Sequence, residues 1–278
     1  MAILKAFFKS VKRILISKIL SLLTTLLQFF GKNQLFHQSP ISFRGDGLLT
    51  SHYFAGKDDE EFQKALELGR KEFEGEHSLY HEFRIYIACI LMKNILCNRN
   101  EPIFIECGVG GGMTLYVYSK WIELIKEENL SISFKNSTYI GIDTFAGIDS
   151  SLLSPEILDT YNFKQTSYLG TDYKTIKQRF ALYTNYNFEQ GSIPNIFETQ
   201  DFPIPDFLHI DMNNEKPEVE TLKYFLSKMK PGSIILLDDY AFSSPRYTLQ
   251  RKGIDKFLSE NTKRNVLTLP SGQGLLIV

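Results

Sequence analysis

The feature that most constrains the fold is an alternation of short apolar runs with longer segments of helical periodicity. Strand-length runs lie at residues 103–107, 138–143, 186–190, 207–211, 234–238, 265–269 and 274–278. Helical segments lie at residues 58–75, 77–97, 113–126, 173–183, 218–229 and 248–260. This order is typical of a doubly wound parallel sheet with helices on both faces. The last two runs are too close for a parallel crossover, so one of them must run antiparallel. The sequence therefore predicts an α/β fold with a seven-stranded, mostly parallel sheet.

Charge is distributed unevenly along the 278 residues. The chain has 31 basic and 32 acidic residues, for a formal net charge of −1. The first 45 residues contain seven basic residues and no acidic one, whereas the remaining 233 residues contain 24 basic and 32 acidic ones. A near-neutral total does not favour nucleic acid as a partner, and 43% hydrophobic residues exclude a disordered chain. The three cysteines are odd in number and lie in apolar surroundings, which favours a reducing, cytoplasmic compartment.

Residues 2–30 have an amphipathic pattern, with apolar side chains on one helical stripe and Lys5, Lys9 and Arg13 mainly opposite. Lys18 divides the apolar run, so a membrane-spanning helix is not predicted, and no small-x-small cleavage site favours a signal peptide. Two interpretations stay open. The helix lies on the anionic inner surface of a membrane, or it packs against protein, including a second copy of the chain. The predicted organisation is a basic helix at 1–32, a linker at 33–51 and an α/β domain at 52–278.

A glycine-rich turn follows the strand at residues 103–107. Glu106 lies at the end of that strand, and the turn at residues 108–112 leads into a helix at Met113. Glycines allow a backbone to approach a ligand closely, and a helix N-terminus offers unpaired N–H groups. Met113 stands where a dinucleotide fingerprint requires glycine, so a pyrophosphate is not favoured. Glu106 suits a cofactor with a cationic amino-acid tail instead.

The ends of the next two strands carry groups that suit a nucleoside. Asp143 ends the second strand, where a carboxylate can accept both ribose hydroxyls, although Asp is also a common helix N-cap. Gly191 and Ser192 form a small polar turn after the third strand, where an adenine edge would lie. Carboxyl ends of parallel strands share one edge of a sheet, so these positions favour a single nucleoside-containing ligand.

Acidic side chains end the fourth and fifth strands. Asp211 ends the fourth, and Asp238 and Asp239 end the fifth. If these strands are neighbours, the three carboxylates converge, and their mutual repulsion requires a cation or a proton. Oxygen ligands favour a hard divalent ion, Mg²⁺ above all. The structural alternative is a helix cap for one of the Asp residues. His209 shares the side of the strand with Asp211, where a lone histidine is more often a hydrogen-bonding residue than a base.

Together these motifs resemble the macrocin O-methyltransferase family. The matching segments are Glu106-x-Gly108-x-Gly110-Gly111-Gly112, Gly141-Ile142-Asp143-Thr144-Phe145-x-Gly147, Gly191-Ser192-Ile193, Leu208-His209-Ile210-Asp211 and Pro231-Gly232-x6-Asp239-Tyr240. The resemblance covers residues 46–278. It implies a class I, Rossmann-like methyltransferase domain that uses S-adenosylmethionine and a divalent metal to methylate a sugar hydroxyl. The expected context is polysaccharide, glycoconjugate or natural-product biosynthesis.

The resemblance also implies roles for single residues. The methionine end of the cofactor would be held by Glu106, Gly108 and Gly110. Asp143 would hold the ribose and Ser192 the adenine side, and the cofactor site would be completed by Thr144, Phe145, Gly191 and Asp211. The metal carboxylates would be Asp211, Asp238 and Asp239. The residues expected to act in catalysis are Asp211, Asp239 and His209.

Asn213 departs from the family pattern. Many sugar methyltransferases of this family have a second acid at this position, proposed as general base, whereas this chain reads Asp211-Met212-Asn213. Because an amide cannot take a proton, another group must serve. The candidates are water or a metal-bound group, His209, Glu215 and His81.

Two other functions stay open on the sequence alone. Catechol-like phenol methyltransferases also use a metal and a vicinal diol, and a binding protein with a degenerate methyltransferase domain would agree with Asn213. Residues 147–173 predict a long loop over the site that would determine the acceptor. The expected partner is a glycan or small molecule with vicinal hydroxyls.

Overall fold

The computed structural model describes residues 41–74, 81–155, 157 and 171–278. The predicted basic helix at 1–32 and the first part of the linker lie outside the described residues, as does much of the predicted loop at 147–173. Among the residues that the structure describes, none of the helices is long and apolar enough to cross a membrane.

The described chain divides into two compact units, with residues 41–44 and 48–54 in the smaller one. This region contains two short paired strands, β1 (Phe43–Gly45) and β2 (Leu48–Thr50). The rings of Phe43 and Phe54 pack edge-on with their centroids 4.8 Å apart. The sequence predicts an irregular linker here, because strands of three residues are too short to show an alternating pattern.

The larger unit contains a seven-stranded sheet. Its strands are β3 (Ile103–Cys107), β4 (Thr138–Asp143), β5 (Tyr186–Gln190), β6 (Phe207–Ile210), β7 (Ile234–Leu237), β8 (Leu267–Thr268) and β9 (Gly274–Ile277). They lie in the order β5-β4-β3-β6-β7-β9-β8. Neighbours from β5 to β7 pair in parallel, whereas β9 is antiparallel to both β7 and β8. The predicted seven-stranded, mostly parallel sheet with one antiparallel strand in its terminal pair is confirmed.

Helices connect the strands. The described α-helices are α1 (Glu60–Glu72), α2 (Glu82–Asn98), α3 (Met113–Ile125), α4 (Glu128–Asn136), α5 (Tyr173–Arg179), α6 (Asn195–Thr199), α7 (Glu215–Phe225) and α8 (Pro245–Asn261). Two of them, α4 and α6, were not predicted. Only Leu130 and Phe134 of α4 are buried, which is too few to produce a helical period in the sequence.

Alternate side chains of the strands pack on opposite faces of the sheet. Phe104, Phe207 and Leu236 belong to an apolar cluster that includes buried residues of α1 to α4. Their neighbours Leu208 and Ile235 belong to a second cluster with α7 and α8. Because both faces are covered, the central strands β3, β6 and β7 read as nearly continuous apolar runs rather than as an alternation with polar residues.

The strand order places a crevice beside β3. The chain passes from β3 to β4 and β5 on one side and then crosses to β6 on the other side of β3. Ligands of open α/β sheets bind at such a switch point, outside the carboxyl ends of the strands. Backbone bonds extend the pairing past the strand ends, from Asp211 N to Cys107 O (2.8 Å) and from Asp238 N to Ile210 O (2.9 Å). The side chains that follow β3, β6 and β7 therefore lie side by side.

Candidate active site

A cavity of about 850 Å³ lies at the carboxyl ends of β3, β4, β6 and β7. Its lining includes all of the predicted site residues, namely Glu106, Gly108, Gly110, Asp143, Thr144, Phe145, Gly191, Ser192, His209, Asp211, Asp238 and Asp239. Of the alternative bases, His81 also lines this cavity. Glu215 is absent from the described lining and packs against Gly253 of α8. The structure thus brings the predicted residues together, while their individual roles stay predictions.

Two glycines of the turn after β3 have different surroundings. Gly108 has a φ of +90°, and a Cβ atom there would lie 1.9 Å from the carbonyl oxygen of Asp211. Gly110 has a φ of +54°, and a Cβ atom there would meet nothing within 4 Å. Gly108 is therefore required for the approach of the turn to the end of β6, whereas Gly110 borders open space that a ligand can enter.

The side chain of Asp143 connects the glycine-rich turn to the loop after β4 by hydrogen bonds. Its Oδ2 accepts a hydrogen bond from Gly110 N (2.9 Å), and its Oδ1 accepts one from Phe145 N (2.7 Å). Burial raises the pKa of Asp143, and these backbone N–H groups oppose that rise. On the neighbouring loop, Ser192 Oγ donates to Asp149 Oδ2 (2.8 Å). The predicted ribose and adenine positions therefore lie on loops held by their own hydrogen bonds.

A row of buried polar groups crosses the sheet beneath the cavity. The hydroxyl group of Tyr139 donates a hydrogen bond to Glu106 Oε2, and Glu106 Oε1 lies 2.7 Å from His209 Nδ1. His209 Nε2 lies 3.5 Å from Asp238 Oδ1, which accepts a hydrogen bond from Gln273 Nε2 (2.8 Å). Burial opposes protonation of His209, but the carboxylates of Asp238 and Glu106 outweigh it and raise the pKa to about 10. At neutral pH the imidazole is therefore protonated, which suits an electrostatic role better than that of a base.

An arginine that the sequence analysis did not single out lies among the acidic residues. Arg84 of α2 is 6% exposed. Its Nη2 contacts the side chain of Asp238, lies 2.8 Å from Asp239 Oδ1 and donates to the backbone oxygen of Asp238 (2.7 Å). Burial opposes the charge of Asp238, yet the Arg84 guanidinium lowers the pKa of this carboxyl well below its usual range. Burial and the charge of Asp238 raise the pKa values of Asp211 and Asp239.

These residues do not fit the predicted Mg²⁺ ion. The carboxylates converge as expected, because β6 and β7 are neighbours. However, in the described part of the chain no three acidic, histidine or cysteine side chains are placed to hold a metal. The physical reason is that Arg84 Nη2 lies against a carboxylate oxygen of Asp238 and of Asp239. The repulsion that suggested a metal is thus relieved by a guanidinium.

Asn213 connects Asp211 to α8. Its Nδ2 donates to Asp211 Oδ1 (3.0 Å). Its Oδ1 accepts hydrogen bonds from Arg246 Nη2 (3.0 Å) and from the Tyr247 hydroxyl (3.0 Å). Its φ of +56° lies in the left-handed region, which Asn tolerates better than most residues. Asn213 therefore has the geometry of a residue that orients Asp211, and the sequence could not show this because its partners lie 33 and 34 positions later.

Comparison with known proteins supports the fold. No protein-family model matches the chain, and no curated protein matches it either. The solved structure of the O-methyltransferase NovP is 14% identical, with a TM-score of 0.61 over 81% of this chain and 99% of that one. CalS11, a calicheamicin methyltransferase, is 16% identical, with a TM-score of 0.50 over 85% of this chain and 99% of that one. The chain therefore has the fold of class I methyltransferases.

Proposed function

We propose that the protein is an S-adenosylmethionine-dependent O-methyltransferase that acts on a hydroxyl group of a sugar or a similar diol. One observation carries the proposal: a single cavity holds both the glycine-rich turn with its nucleoside-type neighbours and the acidic residues after β6 and β7. The fold shared with NovP and CalS11 supports the reaction class. The biosynthesis of a polysaccharide, glycoconjugate or natural product is the proposed context.

The open space beside Gly110 fits the methionine end of the cofactor. Glu106, with Gly108 and Gly110, would face the cationic amino group there. The ribose would lie at Asp143 with Thr144 and Phe145, and the adenine would lie at Gly191 and Ser192. This assignment follows the order of β3, β4 and β5 across the sheet, so the cofactor would cross three adjacent strand ends.

The cofactor would supply a methyl group whose bond to sulfur breaks as its bond to the acceptor oxygen forms, with the electron pair staying on sulfur. Asp211 is the carboxylate best placed to take the hydroxyl proton. Asp238 and Asp239 are engaged by Arg84, whereas Asp211 lies between the glycine-rich turn and Asn213. A positioned general base contributes roughly 10²- to 10⁴-fold to a rate. His209 would fix Glu106 rather than exchange a proton with the acceptor.

The lining of the cavity beyond the glycine-rich turn supports a polyhydroxylated acceptor. It presents the carboxylates of Asp211 and Asp239, the amide of Asn213 and the hydroxyl of Tyr247. Such groups can donate to and accept from several hydroxyls at once. A flat phenol offers fewer hydroxyl groups to this lining than a sugar does.

The test compares Asp211→Asn with the full-length wild-type protein. Calorimetry should show S-adenosylmethionine binding to both, whereas formation of S-adenosylhomocysteine with a panel of glycosides should fall at least about 100-fold in the variant. Asp58→Asn, at an exposed position, is the control and should retain full activity. Lack of cofactor binding by the wild type would refute the proposal, and activity on catechols alone would refute the acceptor class. In cells, loss of the protein should remove a methyl group from a glycan, detected by mass spectrometry.

A further inference from the structure

Arg84 lies where the convergence of three carboxylates would otherwise require a bound cation. We infer that the Arg84 guanidinium is the permanent cation of this cluster, and that methyl transfer by this chain needs no divalent metal. The second part rests on the proposed function, whereas the first part does not.

Arg84 uses the oxygens that a metal would need. One nitrogen, Nη2, contacts the carboxylate of Asp238, Asp239 Oδ1 and the backbone oxygen of Asp238. Mg²⁺ requires close oxygen ligands in octahedral geometry, at about 2.0–2.1 Å. A divalent ion bound to these oxygens would lie beside a buried guanidinium, and the two cations would repel each other in surroundings of low dielectric constant. The arginine and the metal are therefore mutually exclusive.

The guanidinium is held in place from several directions. The Arg84 Cζ atom lies 4.9 Å from the centroid of the Phe242 ring, a cation–π distance. Asp46 Oδ2 accepts hydrogen bonds from the N–H groups of Phe83 (2.6 Å) and Arg84 (3.1 Å) and so fixes the first turn of α2. Gln273 Nε2 donates to Asp238 Oδ1 (2.8 Å), which orients the acidic partner as well. The Arg84 guanidinium is therefore held in a buried ion pair and does not lie as a mobile side chain on the surface.

A positive group of the chain itself lies in the acidic cluster. Arg84 pairs with Asp238 and Asp239, faces the carboxylate of Asp211 as well, and offsets part of their negative charge. Removal of the Arg84 charge would leave Asp238 and Asp239 without their ion-pair partner. Those side chains would then offer oxygen ligands to a hard divalent ion. The arrangement therefore predicts that a variant without this charge gains metal binding, an effect that loss of a merely structural residue would not produce.

The experiment titrates Mn²⁺ into full-length protein, with calorimetry and electron paramagnetic resonance as readouts. Wild type should bind no stoichiometric Mn²⁺ up to millimolar concentration, and its methyl transfer should be unchanged by EDTA. Arg84→Gln should bind one Mn²⁺ at least tenfold more tightly than wild type, and Mn²⁺ should raise its melting temperature. Arg99→Gln, which removes another arginine that pairs with an aspartate (Asp206, 3.7 Å), is the matched control and should behave as wild type.

The inference is overturned if wild type binds one Mn²⁺ and the Asp238→Asn variant does not, or if EDTA inactivates wild type reversibly. It is also overturned if folded Arg84→Gln gains no Mn²⁺ binding. If Arg84→Gln does not fold, as judged by circular dichroism, Arg84→Lys keeps the charge and should fold and bind no Mn²⁺; stoichiometric Mn²⁺ binding by this variant would count against the inference. Calorimetry with S-adenosylmethionine reports separately on the proposed function.

Discussion

Asn213 links Asp211 to α8 through both ends of its amide. The donor end serves Asp211, and the acceptor end serves Arg246 and Tyr247. An Asp at this position would keep the acceptor but lose the donor, and would place a second negative charge beside Asp211. We therefore expect Asn213→Asp to lower kcat by about 10- to 100-fold, as for the loss of a hydrogen bond to a charged group. Measurement of S-adenosylhomocysteine formation together with cofactor affinity checks this, and the affinity should stay within about twofold.

The same variant separates two views of the general base. If position 213 held the base in this fold, Asn213→Asp would restore it and activity would rise. An orienting role predicts the opposite direction. Asp shares with Asn a tolerance of positive φ, so the backbone at +56° is not the variable in this comparison. An Asn213→Asp variant as active as wild type, or more so, would contradict the role given to this residue.

Glu218 of α7 is a buried acid outside the proposed reaction. It is 3% exposed, and its Oε1 accepts hydrogen bonds from Gln250 Nε2 (2.6 Å) and Met212 N (3.3 Å). Burial raises its pKa from 4.5 to about 8. The folded protein thus holds this proton more tightly than the unfolded chain does. The associated stability is fully present below pH 4.5 and is lost as the pH rises through about 8.

Glu218→Gln should remove this pH dependence. Above pH 8 the variant should be more stable than wild type by on the order of a few kcal/mol, and at pH 4.5 the two should be similar. Urea denaturation at both pH values measures the difference. Glu220→Gln, on the same helix in a pair with Lys223, is the control and should change stability little at either pH. Equal pH profiles for wild type and Glu218→Gln would show that burial does not hold this proton.

At the scale of elements, a substitution in the glycine-rich turn between β3 and α3 should affect stability and ligand affinity to different extents. Gly110→Ala meets no atom within 4 Å, so its cost to stability is that of a positive φ, roughly 1–2 kcal/mol. A ligand at this turn would meet the added methyl group, and we expect the affinity for S-adenosylmethionine to fall at least about tenfold. Gly232→Ala, which also has a positive φ (+81°) but does not line the cavity, should keep full affinity. Unchanged affinity in Gly110→Ala would place the ligand elsewhere.

The elements differ in how well the sequence predicts them. The observed bounds of β3, β4 and β5 agree with the predicted ones residue for residue. Apolar runs between turn residues mark β3 and β4 clearly, whereas β5 shows the alternation of apolar and polar residues that is typical of a half-buried strand. The helix α7 begins at Glu215, three residues earlier than predicted, since its first turn is polar and has no periodicity to read. The contact partners of the residues at the strand ends are harder to predict than the bounds of the helices. Arg84 lies on α2, more than 150 positions before Asp238, and no local sequence pattern predicts an ion pair between residues so far apart in the chain.

At the scale of the whole molecule, the strand order determines which of these distant groups meet. Carboxyl ends of parallel strands share one edge, so the sequence alone could predict that Asp143, Asp211 and Asp238 border one crevice. It could not predict the cation between the acidic groups, because that position depends on where α2 places Arg84 relative to Asp238 and Asp239. The prediction of converging charge was therefore correct, whereas the predicted way of neutralising it was not supported.

The uneven charge of the whole chain leads to a prediction about its first 30 residues. Five basic residues lie among residues 2–30 with no acidic one, whereas the rest of the chain is acidic. Anionic membranes attract basic residues by about 1 kcal/mol each near the surface. Full-length protein should therefore sediment with phosphatidylglycerol vesicles but not with phosphatidylcholine vesicles, and 0.5 M salt should release it. Replacing the five basic residues (Lys5, Lys9, Lys12, Arg13 and Lys18) by Gln should weaken binding at least tenfold. Equal binding to both vesicle types would show that the basic residues do not direct this segment to anionic lipid, and no binding to either type would favour protein, rather than lipid, as its partner.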